Sequence, residues 1–495
     1  MSTLHFNSTR SGNEKLSFAQ AVVKGIASDG GLFVPSEIPE MNFMDPKLGD
    51  LSYQDLAKKV LGLFATDFTQ QEIEACIHSA YDEKFRDSRI APIHTCGNAS
   101  FIELYHGKTL AFKDMALSIL PHFMKTSAAK LGTKEDIVIL AATSGDTGKA
   151  ALEGFADVDG VKIVVFYPTD GVSDVQKRQM ITQEGENVHV FGINGNFDDA
   201  QNGVKTIFTD EDYKAELKKQ GYILSSANSI NIGRLVPQIV YYIYSYFNLV
   251  KEEKITLGDS INVVVPTGNF GNILAAYYAK EMGLPIKNFI CASNTNHVLT
   301  DFFITGKYDL NRSFIPTVSP SMDILISSNL ERFLYAISGG DDTTISNLMN
   351  DLKTKGHYEI SAQMKENMKN FYGGFADDDM TIEAIDKLNQ TFNYAVDTHT
   401  AVAYKVYEDY VENTGDQTHT LIASTASPFK FPRSVLEGLG EKVDGLNDFE
   451  LVELLSQKTN VEIPEPIKNL DQRPILHSGI CDKTELNKVI VDALK

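Results

Sequence analysis

The sequence predicts an α/β protein built on parallel sheets, and three observations carry that prediction. From about residue 135 to 295, short apolar runs alternate with helical stretches. The runs are rich in β-branched residues and nearly continuous, which marks strands covered on both faces. Small-residue turns join several runs to the helices after them, as βα units require. The runs are 137–140, 161–166, 188–191, 261–265 and 289–291, with helical stretches over 173–184, 234–249 and 273–282. A last β-type run, 418–423, leads into Ser424-Thr425-Ala426-Ser427-Pro428. Residues 1–95 read differently, as helices mixed with turn clusters such as Asp29-Gly30-Gly31, and are expected to form a separate N-terminal domain. The acidic cluster Asp377-Asp378-Asp379 and the segment 339–344 read as solvated loops.

At 495 residues the chain is long enough for two or three domains. The 66 acidic against 45 basic residues give a formal charge of −21, which argues against a nucleic-acid partner but not against a small anion in a local basic pocket. Cys76, Cys96, Cys291 and Cys481 show no paired spacing, so reduced thiols and a cytoplasmic location are expected. The N-terminus lacks a secretory pattern, and no apolar run approaches the ~20 residues of a membrane span.

The chemistry-bearing feature is Lys113, in His106-Gly107-Lys108-Thr109-Leu110-Ala111-Phe112-Lys113-Asp114. A lysine amine forms a Schiff base with an aldehyde when burial or neighbouring charge raises its neutral fraction. Two glycine loops lie downstream. Ser144, Gly145, Asp146 and Thr147 lie between a β-type run and a helix, where exposed N–H groups favour a carboxylate. The plainer reading is an N-cap by Ser144 or Asp146. Gly268, Asn269, Phe270, Gly271 and Asn272 repeat the device, with glycines that admit a phosphate and asparagines that donate to it. A lysine, a carboxylate loop and a phosphate loop are the parts of a pyridoxal-phosphate site. Asn228, Ser229 and Arg234 form a third donor cluster suited to a phosphate monoester, or else a capping turn with a surface arginine.

Other classes fall away. Gly148-Lys149 is not a nucleotide P-loop, because Thr143 and Ala150 occupy the places of the required glycine and hydroxyl residue. No dinucleotide fingerprint, zinc-protease motif or hydrolase elbow occurs, and no metal site is expected. His399, in Asp397-Thr398-His399-Thr400, reads as structural in preference to catalytic.

On these residues the sequence resembles the threonine synthases of the longer type. The resemblance also covers Ser8-Thr9-Arg10, the stretch 27–35 and Ser319-Pro320-Ser321-Met322-Asp323-Ile324. It implies a fold-type-II pyridoxal-phosphate enzyme, tryptophan synthase β-like, with 1–95 as N-terminal domain, 96–130 and 226–495 as the large cofactor domain, and 131–225 as a small mobile domain. It implies that Lys113 carries the cofactor, that Gly268 to Asn272 bind its phosphate, that Thr425 meets the ring nitrogen and that Asp146 lies near the 3′-oxygen. Ser144, Gly145 and Thr147 would take the substrate carboxylate. Asn228, Ser229 and Arg234, with Thr147, would grip the phosphate of O-phospho-L-homoserine. Lys108 and Ile232 depart from residues common in relatives: proline at the first, an aromatic or proline at the second. The reaction implied is loss of the γ-phosphate and addition of water at Cβ. The rivals are a phospho-lyase of the same fold that releases a keto acid, and a catalytically idle relative. A monomer and a homodimer both stay open.

Overall fold

The computed structural model describes residues 3–143, 145–169, 172–195 and 197–495. Among them, the larger sheet orders its six strands Phe371–Phe375, Ile286–Ser293, Ile261–Pro266, Thr420–Ser424, Ala99–Glu103 and Ile93–Cys96. Every pairing is parallel except the last. The smaller sheet is all parallel: Ile480–Asp482, Val188–Asn194, Val161–Pro168, Asp136–Ala142 and Tyr222–Ser225. Each β-type run expected from the sequence falls within or overlaps one of these strands. Central strands such as Ile261–Pro266 are buried along their whole length, as two-sided coverage by helices demands.

Two features depart from the expected division. The strand Ile480–Asp482 pairs with Val188–Asn194, and the helix Leu486–Leu494 packs on the same sheet. The division expected from sequence places these C-terminal residues in the larger unit. The N-terminal helices, in turn, share a core with helices beyond residue 95: Phe18 meets Phe123 edge-on at 5.3 Å, and Tyr53 meets Tyr244 at 5.3 Å.

The acidic cluster is not a solvated loop. Asp377 accepts the N–H of Met380 as N-cap of the helix Asp378–Phe392, and Asp378 and Asp379 fill its first turn. Carboxylates are favoured at that end of a helix dipole. The segment 339–344 is a two-glycine turn followed by the same device, with Asp341 capping the helix Asp342–Lys355.

The helix Asp146–Phe155 crosses the short helix Asp114–Leu117 at Gly154, where an added Cβ would lie 2.2 Å from the Leu117 carbonyl oxygen. This contact brings the first turn of one helix to the lysine that opens the other. Gly154→Ala is expected to destabilise the protein by about 1–3 kcal/mol despite the better helix propensity of alanine. A thermal unfolding midpoint equal to wild type would show that the crossing has room to spare.

Candidate active site

Three adjacent parallel strands, Ile261–Pro266, Thr420–Ser424 and Ala99–Glu103, release their loops at the same edge of the larger sheet. That carboxyl edge is where open α/β sheets bind ligands. The loop after Ala99–Glu103 carries Lys113, and its shape is fixed locally. Asp114 accepts from the Thr109 N–H at 2.8 Å and the Thr109 hydroxyl at 2.6 Å. Gly107 must be glycine, because a Cβ there would lie 2.4 Å from the Asp114 carboxylate. Leu110 takes the left-handed conformation at φ 59°. The Phe112 N–H donates to the Thr425 carbonyl at 2.8 Å and the Ser427 N–H to the Leu110 carbonyl at 2.9 Å, so Lys113 and Thr425 sit on paired segments.

The Lys113 amine lies 3.6 Å from Asp146 Oδ2 and 3.4 Å from Ser321 Oγ, with 13% of its side chain open. Asp146 does not cap its helix; Thr143 Oγ1 does, accepting from the N–H groups of Gly145 at 3.0 Å and Gly148 at 2.9 Å. Asp146 instead turns inward. Its Oδ1 meets Lys430 Nζ at 2.8 Å and Gln176 Nε2 at 2.9 Å. Burial alone would raise the Asp146 carboxyl, but Lys430 and then Lys113 outweigh it and hold the group well below the usual carboxylate range. Burial pushes the Lys113 amine down from its ordinary value. Asp146 opposes that, while Lys430 and Arg234 push it further down.

The second glycine loop comes after Ile261–Pro266 and opens the helix Gly271–Glu281. Gly268 admits no side chain, since a Cβ would lie 2.9 Å from the Ser321 carbonyl oxygen. Phe270 turns the backbone at φ 63° and buries its ring among Phe303, Phe333 and Phe371, so only its main chain faces the loop. The N–H groups of a first helical turn have no partner within the helix. Asn269 Oδ1 accepts from Ser328 Oγ at 3.0 Å. Asn272 Oδ1 is taken by the Tyr242 hydroxyl, and its buried Nδ2 has no partner among the described residues. A bare-backbone cradle beside a lysine of lowered proton affinity fits a phosphate and an aldehyde on one molecule.

Arg234 is buried and donates through Nη1 to the Ala227 carbonyl at 3.0 Å. Its Nε is unpartnered, and among the described residues no carboxylate pairs with it. Burial pushes the guanidinium down to about 10. Burial rules out the surface arginine of the alternative reading, and a guanidinium left without a counter-charge is suited to an anion. Asn228 is exposed and Ser229 half-buried on the turn before it. Gly145 is buried and Thr147 half-buried at the start of the helix Asp146–Phe155, while Ser144 lies outside the described residues.

Sequence reasoning missed Lys430 and Gln176, and did not assign Ser321 a place at the lysine. The one signal for Lys430 was a lysine set among apolar residues in Pro428-Phe429-Lys430-Phe431-Pro432. Lys108, the departure from proline, pairs with Glu153 at 2.9 Å, and Lys149 meets the same carboxylate at 3.0 Å. Burial opposes these pairs, but Lys149 and Lys108 still bring Glu153 down to about 2. The N-terminal signature is scaffolding: Thr9 and Arg10 bind Glu331, with Arg10 bidentate at 2.9 and 2.8 Å. The neighbouring Arg332 ties the Phe33 carbonyl (2.9 Å) to the Ile230 carbonyl (2.5 Å), bracing the turn before Arg234.

Known proteins resemble this chain in sequence and fold. The family described as "Threonine synthase N terminus" matches residues 5–81, "Pyridoxal-phosphate dependent enzyme" matches 96–424, and "Threonine synthase, C-terminal" matches 400–480. Threonine synthase-like 1 of Pongo abelii is 40% identical over 492 residues, covering 96% of this chain and 64% of that protein. The chain thus spans less than two thirds of that relative. Threonine synthase of Schizosaccharomyces pombe is 36% identical over 511 residues, covering 94% of this chain and 98% of the relative. The crystal structure of PLP-bound threonine synthase from Brucella melitensis superposes with a TM-score of 0.88 at 34% identity, covering 99% of both chains.

Asp146→Asn is expected to leave Lys430 and Lys113 buried without a counter-charge, at a cost of about 3–5 kcal/mol. Because the folded carboxyl binds protons less readily than the unfolded one, its contribution is present above the ordinary carboxylate range and is lost as pH falls. The variant should therefore be less stable at pH 7 and should lose less additional stability than wild type between about pH 5 and pH 2. Parallel acid-unfolding curves for the two proteins would contradict this assignment.

Proposed function

The chain belongs to the threonine synthase family of pyridoxal-phosphate dependent enzymes, and from that premise we propose that it converts O-phospho-L-homoserine and water to L-threonine and phosphate. The observation that carries this reading is Arg234, a buried cation whose Nε is unpartnered and which, among the described residues, pairs with no carboxylate. A second group suited to an anion, beside the one for the cofactor, fits a substrate that brings its own phosphate.

Lys113 would hold the cofactor, with Gly268, Asn269, Phe270, Gly271 and Asn272 at its phosphate, Thr425 at the ring nitrogen and Asp146 near the 3′-oxygen. When bound, pyridoxal phosphate supplies an electron sink that acidifies the carbon-bound hydrogens of an attached amino acid. Ser144, Gly145 and Thr147 would orient the substrate carboxylate. Asn228, Ser229, Arg234 and Thr147 would hold its phosphate through departure. The lowered proton affinity of the Lys113 amine suits a base that takes the α-proton and then the β-proton. Asp146, held far below the carboxylate range, stays ionised and serves as a fixed counter-charge, not as a proton carrier. The four buried thiols suit a reducing compartment, and the cytoplasm is the location we propose. Among the described residues no helix is long and apolar enough to cross a membrane.

Incubation of the purified protein with O-phospho-L-homoserine should yield L-threonine and phosphate in equal amounts. Phosphate accompanied by a keto acid would assign the chain to a phospho-lyase, and no product would mark an idle relative.

Arg234→Ala should lower kcat/KM for the phosphorylated substrate by roughly 10- to 150-fold, the worth of one charge-assisted contact of about 1.5–3 kcal/mol. Bound cofactor, measured by absorbance, should be retained. Loss of cofactor with normal turnover in the remaining holoenzyme would show that the two phosphate sites have been exchanged.

A further inference from the structure

Two sequence motifs that the reaction leaves unassigned meet beside Lys113. The first is Ser319-Pro320-Ser321-Met322-Asp323-Ile324. Its loop is braced from within: Asp323 accepts from the Thr317 N–H at 3.0 Å, the Thr317 hydroxyl at 2.7 Å and Asn294 Nδ2 at 2.8 Å, and Met322 is buried. Ser321, between the buried Met322 and the exposed Pro320, is open to the site. The second motif is Asp397-Thr398-His399-Thr400, at the start of the helix Thr398–Thr414.

The link between them is His399. Its Nδ1 lies 2.7 Å from Asp397 Oδ2, and its Nε2 accepts the backbone N–H of Ser321 at 3.1 Å. That acceptance needs a lone pair on Nε2, so the ring proton sits on Nδ1 and points at the carboxylate. Asp397 is fully buried and also accepts the N–H groups of His399 (3.0 Å) and Thr400 (3.1 Å). The Phe431 ring lies against the imidazole at 4.8 Å. The far end of this chain of contacts is the Ser321 hydroxyl, which accepts from Lys113 Nζ at 3.4 Å and donates to Asp146 Oδ2 at 3.3 Å. Catalytic hydrogen bonds are often this long before ligands close the site.

We propose that Ser321 is a catalytic hydroxyl of this site, which holds the proton-bearing form of the Lys113 nitrogen by accepting its N–H, and that the Asp397–His399 pair is its positioning device. A hydroxyl suits this place because it accepts from nitrogen while giving its own proton to Asp146. The hydrogen bonds thus run in one direction from Lys113 through Ser321 to the carboxylate. The charged groups that act on Lys113 from the surrounding elements are Asp146, Lys430 and Arg234. Variants at Ser321 and His399 leave all three in place. The proposal rests on Lys113 being the cofactor lysine.

The test is the pH titration of the cofactor absorbance band in the resting holoenzyme, which needs no substrate. Removing an acceptor from the protonated nitrogen must lower its pKa, so Ser321→Ala should move the midpoint down by at least half a pH unit, with cofactor content unchanged. Ser321→Thr should restore it. His399→Ala should shift the midpoint as Ser321→Ala does, whereas His399→Gln, whose amide oxygen can accept the Ser321 N–H, should stay near wild type. If Ser321→Ala fails to fold, the Ser321→Thr and His399 variants decide the matter. A wild-type midpoint in Ser321→Ala, or in His399→Ala, overturns the proposal while leaving the proposed reaction intact. Borohydride fixing the cofactor on a lysine other than Lys113 overturns both.

Discussion

The arrangement of the site depends on one buried carboxylate. Asp146 opens a helix of the smaller sheet, and its two oxygens are divided between Lys430, from the loop after a central strand of the larger sheet, and the Lys113–Ser321 pair. A lone carboxylate at that depth would be strongly unfavourable, and so would either lysine. Each makes the others tolerable only when the two sheets are packed as they are here. Gln176 and Gln179, one helix further along the smaller sheet, extend the same junction to Asp146 and Lys430. The ion pair is therefore a condition on the packing of the two layers as well as on the chemistry.

Counting charge explains how a chain of net −21 can present a site suited to anions. Among the described residues, Lys430 and Lys113 flank one carboxylate, Asp146, and Arg234 adds a third positive charge on the Lys113 side. The neighbouring group of Lys108 and Lys149 is matched by Glu153. The excess positive charge is thus confined to the pocket, where low dielectric makes it effective, while the acidic surface acts at longer range and is screened by salt. Arg332, fully buried, donates to the Ile230 carbonyl and so holds the turn that leads into Arg234.

Six strands of the two sheets were legible in the sequence as apolar, β-branched runs, as coverage on both faces favours; the short strands Ile93–Cys96, Ala99–Glu103, Tyr222–Ser225 and Ile480–Asp482 were not. Nor was Phe371–Phe375, where Gly373 and Gly374 interrupt the apolar pattern. They are glycines because Thr300 and Val406 approach too closely for a side chain: an added Cβ would lie 2.9 Å from Thr300 Cα at Gly373 and 2.6 Å from Val406 Cγ1 at Gly374. The glycine loops and Lys113 were legible as local devices. Lys430 and Ser321 were not, because their partners lie far along the chain: Ser321 is 208 residues from Lys113 and 175 from Asp146. Asp146 could be placed near the cofactor by resemblance. That Thr143 would relieve it of capping, and so free its carboxylate to turn inward, had no local signature.

The same pairing sets Lys113 apart from the other buried lysines as the one proposed to react. Lys149 is tied to Glu153 at 3.0 Å, and Lys430 to Asp146 at 2.8 Å with none of its side chain exposed. Each is committed to a short ion pair that a reacting aldehyde would have to break. Lys113 has only the longer contacts at 3.6 and 3.4 Å and keeps part of its side chain open to the pocket. It therefore has the loosest ionic contacts of the three and the freest approach. Reactivity in this site comes less from any special property of one lysine than from the strength with which its neighbours are bound.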